Sequence, residues 1–133
     1  MKQEITTKPR FSTYSQYANN WLKENEIKLK TVYVEDGNYN PHFIYLNRIG
    51  NCGKPKFRIL KRGTDKVKNC LLITFNTERH DREYLCYLLQ SKMSLIRHLS
   101  QGSCHRFITQ DILSHIMSGA VNKNAQYNSE VLS

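Results

Sequence analysis

Cys104, His105 and Arg106 stand side by side between a Gly102-Ser103 turn and an apolar-patterned segment that begins at Ile108. A thiol beside an imidazole is the pairing of a cysteine nucleophile with its base, but adjacent residues rarely project together, and catalytic pairs come from positions distant in sequence. The other reactive side chains are scattered. Cys52, Cys70, Cys86 and Cys104 lie singly, which predicts reduced thiols and neither a zinc module nor a disulfide framework. The five histidines add no paired metal-ligand spacing. Gly50-x-x-Gly53-Lys54 lacks the length and the closing Ser or Thr of a phosphate loop. These residues form no catalytic constellation, so the expectation is a non-catalytic chain without cofactor or metal, and a small nuclease ranks last among its functions.

Charge carries more information. From Arg48 to Lys68 there are eight basic residues against one acid, Asp65, so this segment holds +7 of the chain's net +9. A lysine-rich sheet edge that discourages aggregation would explain part of it. Phosphate binding explains the concentration better. Lys54, Lys56, Lys61, Arg62, Lys66 and Lys68 would neutralise a backbone, while Arg48, Asn51, Arg58, His105 and Arg106 have side chains that can read base edges, arginine to guanine and asparagine to adenine. Gly50 and Gly53 would let the backbone approach a duplex closely.

The elements that must position these residues follow from hydrophobic periodicity. At 133 residues the chain has the length of one domain, expected over 1–117 with a flexible tail over 118–133. Tyr14, Tyr17, Ala18, Trp21 and Leu22 mark an amphipathic first helix that packs by its aromatic face, with Ser12 or Thr13 as N-cap. Four strands are predicted at 29–34, 42–47, 56–61 and 70–75, separated by Gly- and Asn-containing turns. After Asp81, Leu85, Leu88, Leu89, Ile96 and Leu99 mark a single long helix ended by Gly102, and Thr109 caps a short last helix that turns Ile112, Leu113 and Ile116 inward. The fold class predicted is α+β, with a small, mostly antiparallel central sheet, an N-terminal helix, a long helix and a short C-terminal helix.

Three segments resemble a known family. FIYLNRIGNCGKPKFRI (43–59) is similar to the I-S-R-x-G-x-x-G-K segment of the target recognition domains in specificity subunits of Type I restriction-modification systems. NCLLITFNTERHDREYLCYLLQS (69–91) looks like their strand that leads through a polar turn into a helix, and LSQGSCHRFITQDILSHI (99–116) resembles their closing segment. Order and spacing carry the likeness. It implies that Gly102 and Ser103 reverse the chain and present a tip beside a DNA-facing sheet. His115-Ile116 is followed by Met117-Ser118-Gly119-Ala120 where the family has I-P-L-P. Asn40-Pro41-His42-Phe43 is close to the base-holding loop of amino-methyltransferases, but no glycine-rich turn for a methyl donor accompanies it, and it reads as a turn.

The favoured expectation is therefore a double-stranded DNA-binding domain that reads sequence, with a methyltransferase or restriction subunit as further partner. The alternative is the same scaffold reused as a viral or mobile-element structural protein that binds nucleic acid, or an acidic or virion protein, without sequence preference. No apolar run approaches membrane-spanning length, and MKQEITTKPR lacks the apolar stretch of a signal peptide, so a cytoplasmic or virion-associated setting without membrane contact is expected.

Overall fold

The computed structural model describes residues 7–33, 39–50, 55–61, 67–102 and 105–119, with side chains of the first helix described from Gln16 onward. Its elements in chain order are α1 (Thr7–Glu24), β1 (Ile27–Val32), β2 (Ile44–Asn47), β3 (Cys70–Phe75), α2 (Arg82–Ser91), α3 (Met93–Leu99) and α4 (Gln110–Ser118). The fold is α+β.

β3 lies between β1 and β2 and pairs antiparallel with both. Ile27 faces Phe75 at one end of the first ladder and Val32 faces Cys70 at the other; in the second, Ile44 faces Ile73 and Asn47 faces Cys70. Alternation then assigns the two faces of the sheet. Ile27, Ile44, Leu46, Leu71, Ile73 and Phe75 join the main core, which Leu22, Leu85, Leu89, Leu95, Ile96, Leu113 and Ile116 complete from the helices. Val32, Tyr45 and Cys70 point the other way, into a smaller cluster with Val67, flanked by Tyr39, Leu60 and Leu72. Helices thus cover one face. On the opposite face lie described residues of the connections 33–43 and 61–69, where Tyr39 sits 4.9 Å from Tyr45 between ring centroids.

Several expectations need correction. α1 begins at Thr7, so Ser12 and Thr13 lie inside it and neither is its N-cap. Pro9 is compatible with that early start, because its missing N–H falls in the first turn, where no intrahelical partner is needed. Ala18 and Leu22 form the buried line, while Tyr17 is 52% exposed, so the aromatic face is only partly the packing face. β1 runs two residues earlier than expected, and Tyr33 falls just beyond it.

The expected strand at 56–61 is reduced to one isolated bridge, Leu46 to Ile59, supported by Asn47 N–H donating to the Arg58 carbonyl and Leu60 N–H to Tyr45, both at 2.8 Å. Pro55 precedes this segment with no N–H to give a ladder. Among the described residues the sheet has three strands.

The long helix is two. Lys92, at φ −105° and ψ 11°, separates α2 from α3. Ser91 Oγ donates to the Leu88 carbonyl at 2.6 Å, and Lys92 N–H bonds Leu89 O at 3.1 Å, three residues back, which tightens the last turn. Leu95 and Ile96 are buried on α3, and Leu88 on α2 is half-exposed.

α3 ends at Ser100, whose backbone is extended, and Gly102 is therefore not its terminator. α4 matches expectation: Thr109 Oγ1 accepts the Ile112 N–H at 3.2 Å, Ile112, Leu113 and Ile116 are buried, and Gly119 closes it in the left-handed region at φ 79°. Ser118, assigned to the tail from sequence, is the last residue of α4, and 120–133 lie outside the described residues. Among the described residues Cys70 and Cys86 form no disulfide; Cys52 and Cys104 lie outside the described residues. Among the described residues no helix is long and apolar enough to cross a membrane.

Candidate nucleic-acid interface

Because β1 and β2 both run antiparallel to β3, their C-terminal ends meet the start of β3 at one end of the sheet. Arg48 leaves β2 there. Its N–H donates to Asn69 O and its carbonyl accepts the Ile108 N–H, each at 3.0 Å, so the backbone is held from two sides. The guanidinium carbon lies 5.2 Å from the centroid of the Tyr33 ring and 6.0 Å from that of Phe107. Both distances suit attraction of a cation to an aromatic face. Arg48 Nε is buried and has no hydrogen-bond partner, and among the described residues the side chain makes no ion pair.

The segment before α4 joins the same end. Ile49 and Phe107 bridge, Gly50 N–H donates to Arg106 O at 2.7 Å, and Gln101 and Phe107 exchange two backbone hydrogen bonds at 2.8 Å. Gly102 turns the chain inside that exchange at φ 96°. A Cβ there would lie 2.8 Å from His105 O and 3.4 Å from the Phe107 ring, so glycine is required by a tight turn.

Two expectations change. Gly50 is buried against Pro55 and Phe57, and a Cβ would meet Pro55 Cβ at 2.6 Å; its missing side chain serves internal packing, not approach to a duplex. Arg106, expected at an exposed tip, is half-buried and donates through Nη2 to the Ser100 carbonyl at 2.6 Å. Adjacent His105 is exposed.

Of the remaining basic residues, Lys56, Arg58, Lys61 and Lys68 are exposed. Lys68 immediately precedes Asn69 at the Arg48 end, and its carbonyl accepts the Cys70 thiol at 3.3 Å; burial pushes that thiol's pKa up, against the smaller effect of the hydrogen bond. Arg58 lies opposite Asn47, on the face away from the main core, because its neighbour Ile59 packs into that core. Lys61 lies toward the far end of the sheet, beyond the Leu60–Tyr45 hydrogen bond. Asn51, Lys54, Arg62, Lys66, Gly53 and Ser103 lie outside the described residues.

Sequence reasoning missed three residues. Lys28 and Lys30 are exposed on β1 and share the second sheet face with Val32. Register places them across the sheet from the 55–61 segment: Lys30 faces Leu72, Leu72 faces Tyr45, and Tyr45 bonds Leu60. The alternation in IKLKTV was the signal, hidden by the distance of these lysines from the charge-rich segment. Tyr33, 65% exposed, read as one more strand aromatic.

The opposite end of the sheet also gathers basic side chains, and three of them are engaged there. Arg79 donates to Glu24 O at 2.7 Å, His80 Nε2 lies 2.6 Å from Asn25 O, and Arg82 donates to Phe43 O at 3.0 Å. These contacts tie the β3–α2 turn to α1 and β2. Among the described residues no group of three or more His, Cys, Asp or Glu side chains is placed to hold a metal ion. Comparison of the chain with protein-family models, curated proteins and solved structures finds no match.

Proposed function

We propose that this chain is a non-catalytic double-stranded DNA-binding domain of the type its three segments resemble, the target recognition domain of Type I specificity subunits. The observation that carries the proposal is the distribution of uncommitted charge. Lys28 and Lys30 line one edge of the sheet, and Lys56 and Arg58 line the other. Three strand spacings separate those edges, or about 14–15 Å. A major groove is about 12 Å wide, and the two pairs of cations are staggered along the strands, Lys30 level with Leu60 and Arg58 level with Val32, so they reach the two backbones obliquely and not directly opposite one another. Arg48, over the Tyr33 ring at the end of the sheet and half-exposed, donates no side-chain hydrogen bond to another described residue.

Binding of this kind responds to salt through counterion release. Affinity for a random duplex should fall with a log-log slope of about −0.9 per phosphate neutralised, so five contacts give roughly −4 to −5. Replacing Lys28 and Lys30 with alanine should make that slope shallower by up to about two, and the Lys56→Ala/Arg58→Ala pair should do the same. A flat salt dependence in the parent chain removes the proposal. Equal affinity for random duplex and for the best sequence selected from a library would instead favour the packaging-type alternative, in which charge binds without reading sequence.

A further inference from the structure

The five side chains singled out in the sequence as able to read a base edge are separated by their surroundings. Arg106 is committed to the Ser100 carbonyl. Arg58 and His105 are exposed, and none of the ring contacts or hydrogen bonds among the described residues fixes either side chain. Asn51 lies outside the described residues. Arg48 differs from these in its setting: its backbone is anchored to Asn69 and Ile108, its guanidinium lies over the Tyr33 and Phe107 rings, and, although its Nε is buried without an acceptor as that of Arg106 is, its side chain donates no hydrogen bond to another described residue.

A guanidinium fixed in this way has lost much of its rotamer freedom before any ligand arrives, which lowers the entropy cost of a directional contact. Rings attract its faces but satisfy none of its in-plane donors. A planar pair of acceptors fits that fork, and on duplex DNA the matching pair in the major groove is O6 and N7 of guanine. The geometry points to Arg48 as a specificity-determining residue that selects guanine, with Tyr33 as the residue that positions it. This rests on the DNA-binding reading above and adds to it a base identity and an orienting ring.

The experiment is selection from a randomised duplex library with the parent chain and with Arg48→Ala, Arg48→Lys, Tyr33→Ala and Tyr33→Phe. Each variant is also titrated with salt on a random duplex and checked by thermal melting. The parent should enrich guanine at one position by about tenfold or more. Arg48→Ala should abolish that preference while making the salt slope shallower by no more than about one. Arg48→Lys keeps the charge but loses the planar fork, so it too should lose the preference. Tyr33→Ala should weaken the guanine preference and Tyr33→Phe, which keeps the ring, should retain it. If Arg48→Ala fails to fold, Arg48→Lys decides.

A guanine preference that survives in Arg48→Lys, or that Tyr33→Ala leaves unchanged, overturns the assignment. Salt-dependent binding by the parent with no base preference also overturns it, while leaving charge-driven DNA binding intact. Absence of salt-dependent binding removes the DNA reading itself.

Discussion

A guanidinium takes its role from whether its donors find acceptors inside the protein; Arg106 and Arg48 stand at the same end of the sheet and each has a buried Nε without an acceptor, but they diverge at the terminal nitrogens, where Arg106 has a protein acceptor and Arg48 has none among the described residues. Arg106 donates to the carbonyl of Ser100, itself a buried residue, so Arg106→Ala would leave that acceptor unpaired. Hydrogen bonds to charged groups contribute roughly 1.5–3 kcal/mol, and a loss of that size in urea unfolding is the expected outcome. Gly102→Ala should cost about 1 kcal/mol or more in the same assay, since the added Cβ meets both an unfavourable φ and the His105 carbonyl. The need for glycine at 102 was legible in the sequence, but its purpose was not. Left-handed glycines serve helix ends and tight turns alike, and the backbone exchange between Gln101 and Phe107 that makes this a turn joins residues with no distinctive pairing signal. Arg106 was misread for a similar reason: position beside a turn says nothing about an acceptor six residues upstream.

Two helix starts look alike in sequence and differ in chemistry. Thr109 accepts the Ile112 N–H, whereas Asp81 occupies the N-cap of α2 with an extended backbone and no side-chain cap hydrogen bond. Thr109→Ala should therefore destabilise by about 1 kcal/mol. Asp81→Ala should cost only the few tenths of a kcal/mol that its charge gains from the helix dipole, a difference that paired thermal melts can resolve. β3 was legible to the residue, because CLLITF is apolar on both faces and bounded by polar residues. The break at Lys92 was not, because nothing apolar is missing from the pattern; it arises where Ser91 turns its hydroxyl back onto Leu88. The 56–61 segment has the alternation of a strand, and Phe57 and Ile59 do pack in the main core, but alternation reports which faces are buried and not how many ladder bonds form.

At the scale of the molecule, α4 packs chiefly on α1 and carries the buried His115 between core residues. Burial holds its imidazole below the usual 6.5, and Asp111 opposes this only in part. The unfolded chain thus takes up a proton at a higher pH than the folded one, so stability is fully present above about 6.5 and falls as the pH drops below it. Melting temperature should decline from pH 7.5 to 5.5 in the parent, and the decline should be smaller in His115→Gln. The charge surface was only half legible for a comparable reason of dimension: the basic run from 48 to 68 is contiguous in sequence, whereas Lys28 and Lys30 join it only through the ladders on β3. That central strand has one more consequence, in the order of events during synthesis. β1 and β2 are not neighbours, and among the described residues each finds its strand partner in β3, the last of the described strands in chain order. Until Phe75 has emerged, β1 lacks its ladder altogether and β2 has only its bridge to the 58–60 segment. Sheet formation is then a single late closure of non-local contacts, which makes folding slow relative to a helical chain of this size and leaves the growing chain most exposed to aggregation just before its central strand arrives.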